Sequence, residues 1–169
     1  MTGAIINVHI GKVCTGNGDE QLQTILGSCI GIGFLWQKRG LYGLAHCLLP
    51  IAPEGYVEKL NSGKNKKNQL HAARYVDQAI DSLTNVMSIT DYRDIRAIVA
   101  GGANMTLGQC DDPKRLVGYQ NALSAQKQIE QRKIILVKKD TGGNVGRKII
   151  IDCDSGEYDI AQIPRIEAP

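Results

Sequence analysis

One cysteine and one histidine stand in sequence surroundings that suit nucleophilic catalysis. Cys29 follows Gly27 and directly precedes a run of small and apolar residues. Small neighbours leave the backbone open, so that a substrate carbonyl can reach the thiol and successive N–H groups can face a developing oxyanion. His46 lies 17 residues later in an apolar segment, and on a neighbouring strand it would take the thiol proton and give a thiolate–imidazolium pair. The alternative is a small, inert core cysteine.

The other cysteines and histidines lack the spacing of a metal site or a disulfide framework. None of the five cysteines forms a C-x-x-C pair, and they stand at positions 14, 29, 47, 110 and 153. An odd number of cysteines without such pairs is typical of free thiols in a reducing compartment. On a strand Cys47 would face away from His46, so the two are not expected to ligate one metal, and His9 and His71 have no motif around them. We therefore expect a cytoplasmic protein with no metal and no organic cofactor.

Composition and charge indicate a globular protein that does not bind nucleic acid. The 169 residues carry 20 Lys and Arg against 17 Asp and Glu, a net charge of +3, and the only dense basic run is Lys64-Asn65-Lys66-Lys67. Nucleic-acid-binding proteins concentrate more basic charge on one face. The longest nearly uncharged stretch, residues 22–37, is too short and too rich in glycine to span a bilayer, and the start of the chain does not resemble a leader. At this length we expect one domain over residues 1–169.

The elements that must position Cys29 and His46 indicate a strand-rich α+β fold. Apolar runs at 31–36 and 43–49, separated by a short polar connection, predict a hairpin that places the two residues on neighbouring strands. Residues 15–19 and 52–69 are polar and rich in turn formers, which predicts loops. Apolar spacings of three or four predict helices over 72–87 and 118–131. Further strands are predicted over 5–13, 95–100, 134–137, 147–152 and 158–163.

Short motifs spread along almost the whole chain occur in a recognisable order. They are Leu26-Gly27-Ser28-Cys29, Gly43-Leu44-Ala45-His46, Leu49-Pro50, Arg74-Tyr75-Val76-Asp77 with Ala79-Ile80, Gly101-Gly102-Ala103-Asn104-Met105, Gly118 with Asn121, and Asp140-Thr141-Gly142-Gly143 with Gly146-Arg147. Together they resemble the successive blocks of CheD, a family of bacterial and archaeal chemotaxis proteins. The resemblance implies two packed mixed β-sheets flanked by helices in α/β/β/α layers, similar to the deamidating-toxin fold.

The resemblance also implies an activity, that of a protein-glutamine glutaminase acting on chemoreceptors. In that family the nucleophile corresponds to Cys29 and the general base to His46. A threonine upstream completes the family's triad, and the candidate is Thr24, five residues before Cys29; some members have it six residues before, where this chain has Gln23. The oxyanion would be met by backbone N–H groups, those of Ser28 or Cys29. No metal or organic cofactor is required for this chemistry.

Partners follow from the resemblance and from charge. The implied partners are chemoreceptor cytoplasmic domains and a CheC-type phosphatase, with contacts expected at Gly102, Ala103, Asn104 and Met105. A basic surface that includes the lysines of residues 64–67 would aid encounter with acidic receptors at low salt. The alternative function is a catalytically weak binding module that regulates such a phosphatase. A third possible class of function is a redox-sensing thiol at Cys29, although no feature of the sequence specifically indicates it.

Overall fold

The structure is a computed structural model that describes residues 3–56, 73–106 and 112–164. Within this part of the chain there are nine strands and two α-helices. The strands, in chain order, are β1 Ile5–Asn7, β2 Val13–Asn17, β3 Gln21–Leu26, β4 Ile30–Trp36, β5 Leu41–Cys47, β6 Arg96–Gly101, β7 Ile135–Thr141, β8 Gly146–Asp152 and β9 Tyr158–Ile163. The helices are α1 Val76–Val86 and α2 Val117–Gln131.

The strands form two mixed sheets. The four-stranded sheet has the order β1-β3-β8-β9 and the five-stranded sheet the order β2-β5-β4-β6-β7. β1 runs parallel to β3 and β6 parallel to β7, whereas the other neighbours are antiparallel. The predicted hairpin is β4 and β5, closed by a 3-10 turn at Gln37–Arg39 and by Gly40, whose φ of 56° suits glycine. β4 and β5 lie side by side inside the five-stranded sheet.

The five-stranded sheet is buried on both faces. On one face Ile30, Ile32 and Phe34 of β4 pack with α1 and α2. On the other face Leu44 of β5 packs with Ile149 and its neighbours in the four-stranded sheet. Burial on both faces explains why the sequence of β4 is almost continuously apolar rather than alternating.

The α+β class and the two packed mixed sheets are confirmed. The second helical layer of the expected α/β/β/α order is absent from the described residues, because both helices pack on the five-stranded sheet. The outer face of the four-stranded sheet carries Gln21, Gln23 and Lys148, which are partly exposed, and Ile25, which is 64% exposed. A mainly antiparallel sheet can leave one such face to solvent.

Two predictions near the start of the chain are wrong. The strand expected over residues 5–13 is two strands in different sheets, since the chain bends between β1 and β2 and Gly11 has a φ of 81°. The loop expected over 15–19 begins as strand, because β2 extends to Asn17. β3 was not predicted. Every second residue of β3 is buried, but the glutamines Gln21 and Gln23 on its outer face make this strand pattern hard to recognise in the sequence.

Candidate active site

Cys29 lies directly before β4, at the end of the sheet where the hairpin partner β5 ends. The ladder pairs Gly31 with His46 and Ile30 with Cys47. Cys29 is therefore on the same strand face as Gly31 and is a diagonal neighbour of His46. It belongs to the core between the two sheets, whereas Cys47 faces the helices, as the strand alternation predicts. The hairpin thus places the predicted nucleophile and the predicted base on one face.

Thr24 reaches His46 from the other sheet. It lies in β3, and its Oγ1 is 2.7 Å from Nδ1 of His46. The same hydroxyl donates to the carbonyl oxygen of Val8 at 2.6 Å, and that oxygen also lies 3.3 Å from Nδ1. Because the one hydroxyl proton is used on Val8, the short contact requires an N–H on Nδ1. Nε2 then has its lone pair free, which is the tautomer that a general base needs.

The free nitrogen of His46 is enclosed by protein. Nε2 is buried and has no hydrogen-bond partner among the described residues. His46 is 4% exposed, Thr24 5% and Cys29 8%, so Cys29 is the most accessible of the three residues. The thiol does not hydrogen-bond to Nε2 in the free protein, as is common in sites where the catalytic contacts tighten only with substrate.

Burial disfavours the charged forms of both Cys29 and His46. It lowers the pKa of His46 below the ordinary 6.5; the nearby His9 adds to this, and the bond to the Val8 carbonyl opposes it. Burial also raises the pKa of Cys29 above the ordinary 9.0. A site that excludes water disfavours both charged forms. Near neutral pH, both directions favour a thiol and a neutral imidazole in the free protein over the thiolate–imidazolium pair expected from the sequence.

The backbone around Cys29 is held through its carbonyl groups. The N–H of Ala103 donates to the oxygen of Gly27 at 3.0 Å, and the N–H of Gly102 donates to that of Cys29 at 2.8 Å. The carbonyl between them, that of Ser28, accepts from a side-chain amide of α2. In contrast, no described residue accepts from the N–H of Ser28 or of Cys29. These two N–H groups are therefore unpaired with respect to the described residues.

The segment expected to contact partners lies beside Cys29. Met105 is 44% exposed, and its side chain covers Gly27, where an added Cβ would lie 3.0 Å from Met105 Cγ. A cavity of about 460 Å³ begins at Gly102 and Asn104 and runs between α2 and the turn after β7. Its apolar wall includes Leu116, Tyr119 and Leu123. A role of residues 102–105 in partner binding stays a prediction.

The other cysteines of the described residues lie outside the candidate site. Burial raises the pKa of Cys14 to about 11 and that of Cys153 to about 12, and it also raises the pKa of Cys47. These thiols are therefore unreactive. In the described ranges no three His, Cys, Asp or Glu side chains are grouped to hold a metal ion. Nor does any helix there have the length and apolar character to cross a membrane. His71, Cys110 and the lysines of residues 64–67 lie outside the described residues.

A family model described as CheD chemotactic sensory transduction matches residues 59–162. The chain belongs to the CheD family. CheD relatives also cover the part that carries Cys29 and His46. A "Probable chemoreceptor glutamine deamidase CheD 2" of Ruegeria sp. (strain TM1040) is 44% identical, over 95% of this chain and 93% of the relative.

Two further CheD relatives match over similar lengths. A "Probable chemoreceptor glutamine deamidase CheD" of Bdellovibrio bacteriovorus is 36% identical, over 94% of this chain and 95% of the relative. A "Chemoreceptor glutamine deamidase CheD" of Bacillus licheniformis is 29% identical, over 95% of this chain and 91% of the relative. The match to the CheD family thus extends over both sheets.

Proposed function

We propose that this chain is a chemoreceptor glutamine deamidase, a cysteine hydrolase in which Cys29 is the nucleophile and His46 the general base. The observation that carries the proposal is the imidazole of His46, whose Nδ1–H is held by Thr24 and whose free Nε2 shares a face with Cys29. The names of the CheD relatives supply the substrate class, glutamine side chains of chemoreceptors.

In the acylation step the Cys29 sulfur attacks the amide carbon of a receptor glutamine while Nε2 of His46 takes the thiol proton. The carbon–sulfur bond forms, and the negative charge on the amide oxygen is met by the N–H groups of Ser28 and Cys29. Starting from a neutral pair, the proton moves as the bond forms, and no separated charges need to exist beforehand. The imidazolium then protonates the leaving nitrogen, so that ammonia departs and a thioester remains.

In the deacylation step His46 acts again as a base. Nε2 takes a proton from water while the water oxygen attacks the thioester carbon, and the same N–H groups bind the oxyanion. The carbon–sulfur bond breaks, the Cys29 sulfur recovers its proton from the imidazolium, and glutamate is released. Thr24 keeps Nε2 aimed at the reacting atoms in both steps by holding Nδ1–H.

The substrate is a folded receptor segment, and the surface next to Cys29 suits a protein partner. Met105, Val117 and Tyr119 are 44%, 39% and 41% exposed; Met105 covers Gly27, and the other two lie in the first turn of α2, on either side of Gly118. We assign residues 102–105, with this apolar rim, to contacts with chemoreceptor cytoplasmic domains and with a CheC-type phosphatase. The protein would work in the cytoplasm as a single deamidase domain over residues 1–169.

The proposal is tested by incubating the purified chain with chemoreceptor cytoplasmic fragments from the same genome. Mass spectrometry should show conversion of particular glutamines to glutamate, with ammonia released in equal amount. Cys29→Ala and His46→Ala should abolish the conversion, because each removes a group that forms or breaks a bond. Cys153→Ala is the matched control, since it removes a buried thiol away from the site. The backbone N–H of Cys153 donates to the carbonyl oxygen of Glu20, which directly precedes β3.

A folded wild-type chain that converts no glutamine, or converts it equally well without Cys29, contradicts the proposal. If that same chain binds a CheC-type phosphatase, the alternative of a regulatory binding module stands instead.

A further inference from the structure

A fully buried asparagine in α2 touches both segments that carry the reactive residues. Asn121 is 0% exposed, and its Nδ2 donates to the carbonyl oxygens of Ser28 and Leu48, each at 3.0 Å. Ser28 directly precedes Cys29, and Leu48 is two residues beyond His46. Because both partners are carbonyl oxygens, only the NH2 group of the amide can face them, and both of its protons are used.

This contact continues the hairpin where its backbone pairing has ended. The ladder between β4 and β5 finishes at the pair Ile30 and Cys47. Beyond that pair, no backbone hydrogen bond among the described residues joins the segment of Ser28 to that of Leu48. The side chain of Asn121 takes the place of the missing rung, so the spacing between the two segments depends on it.

α2 can reach this position because it approaches the strand ends very closely. Gly118 lies one turn before Asn121, and a Cβ atom there would be 2.6 Å from the carbonyl oxygens of Gly102 and Ala103. No real Cβ tolerates such a contact. Glycine at this position therefore lets the first turn of α2 sit against the same loop that holds the carbonyls of Gly27 and Cys29.

The chemistry follows from the peptide plane between Ser28 and Cys29. The carbonyl of Ser28 and the N–H of Cys29 belong to one trans peptide unit and point in opposite directions. A donor that holds the carbonyl from the α2 side therefore sets the direction of the N–H on the other side. The bond also polarises the peptide and makes that N–H a better donor.

We propose that Asn121 is a positioning residue for deamidation, which holds the Ser28–Cys29 peptide so that the Cys29 N–H faces the oxyanion. The inference rests on the proposed function for the chemistry, but the positioning itself is a property of the folded chain. Asn121 acts through the backbone and touches neither the substrate nor the reacting sulfur.

Asn121→Ala is the test, with Ser124→Ala as the matched control. Ser124 lies on the same helix, is 7% exposed and donates to the carbonyl of Pro50 at 2.8 Å, so its loss removes a comparable buried bond without touching Ser28. We expect Asn121→Ala to lower kcat by about 10- to 100-fold, less than the roughly 100- to 1000-fold typical of deleting an oxyanion donor, because the N–H remains but is no longer held. KM should change little, and Ser124→Ala should keep wild-type kcat.

The amide NMR signal of Cys29 gives a readout that does not depend on turnover. Asn121→Ala should shift this signal, because the carbonyl of the same peptide loses its donor, and Ser124→Ala should leave it in place. If the alanine variant does not fold, Asn121→Ser keeps one donor and should give an intermediate loss and shift.

The two proposals fail in different ways. A wild type without Cys29-dependent deamidation of the receptor fragments overturns the proposed function, while the Cys29 amide signal still decides whether Asn121 holds the peptide. A Cys29 signal that is unchanged in the folded Asn121 variants overturns the positioning role. Wild-type kcat in those variants, with an active wild type, overturns it as well.

Discussion

The imidazole of His46 donates through Nδ1 to oxygens of Thr24 and Val8, which both belong to the side of the four-stranded sheet. The position of one proton decides what the residue can do. With Nδ1 protonated, Nε2 is a base on the strand face that it shares with Cys29; with Nε2 protonated, the same nitrogen would be a donor without a partner among the described residues. At this scale the Thr24 hydroxyl acts on the orientation and tautomer of His46 rather than on the substrate.

Replacing Thr24 by valine removes the hydroxyl and keeps the shape of the side chain. The Nδ1–H then keeps only the Val8 carbonyl at 3.3 Å, and the ring gains freedom to turn. We expect kcat to fall by about 10- to 100-fold, since small misplacements of a catalytic group cost up to about 100-fold, with KM unchanged. Thr24→Ser retains the hydroxyl and should stay within several-fold of wild type. Steady-state kinetics on a receptor fragment decide this, and equal kcat for Thr24→Val and wild type would refute it.

At the scale of the elements, the site depends on how closely the two sheets approach each other. Gly31 of β4 is paired with His46, and Ile149 of β8 is paired with Thr24. A Cβ on Gly31 would lie 2.7 Å from Ile149 Cδ1 and 2.8 Å from Leu26 Cδ1. The absence of a side chain at Gly31 therefore leaves room for the ends of Ile149 and Leu26 between the strands that carry Thr24 and His46.

Gly31→Ala should separate these strands and weaken the contact between Thr24 and His46. Overpacking of this kind destabilises a core by about 1–3 kcal/mol, and we expect a several-fold loss of kcat in addition. Gly33→Ala is the matched control, because its Cβ would lie 2.7 Å from Ile98 Cγ1 and 3.1 Å from Ile151 Cδ1, away from the Thr24 and His46 pair. Urea unfolding should show similar losses of stability for both variants. Equal kcat in the two would contradict the argument.

Features that depend on contacts between nearby parts of the chain could be predicted from the sequence, whereas features that depend on contacts between distant parts could not. The β4–β5 hairpin is local, and its two apolar runs are continuous, so the pairing of the Cys29 and His46 segments was predictable. β3 was missed because its alternation carries glutamines on the outer face. The 2.7 Å contact of Thr24 with His46 depends on how two sheets stack, which no spacing along the chain encodes. The family resemblance, rather than periodicity, singled out Thr24.

The electrostatics of the site were also beyond the sequence. Spacing suggested an ion pair between Cys29 and His46, whereas both are buried in the structure, and burial raises the pKa of Cys29 and lowers that of His46, which favours the neutral forms. That burial comes from strands far apart in the chain, so it belongs to the tertiary fold. The hydrogen bonds from Asn121 to two carbonyl oxygens depend likewise on the close packing of α2 against the strand ends.

For the whole molecule, a buried neutral histidine couples stability to pH. Burial lowers the pKa of His46 below 6.5, so just below pH 6.5 the unfolded chain binds a proton that the folded chain does not. This contribution to stability is complete above pH 6.5 and is lost as the pH falls toward the folded pKa, at up to about 1.4 kcal/mol per pH unit.

His46→Gln removes the titrating group while keeping a polar side chain. Between pH 7.5 and 5.5, about one unit either side of the ordinary histidine pKa, urea unfolding of wild type should lose more free energy than that of His46→Gln. The difference between the two proteins at each pH cancels the groups that they share. A difference that does not vary with pH would show that the folded state accepts a proton on His46 as readily as the unfolded chain.

The hydrogen bond between Thr24 and His46 crosses from one sheet to the other, so neither sheet alone holds a finished site. During folding, the β4–β5 hairpin can bring Cys29 and His46 together early, because its contacts are local. Until the four-stranded sheet docks, water surrounds Nδ1 and the ring is free to rotate. A chain whose sheets have not yet docked therefore lacks the contact that orients His46, and we expect an incompletely packed chain to leave the glutamines around it unmodified.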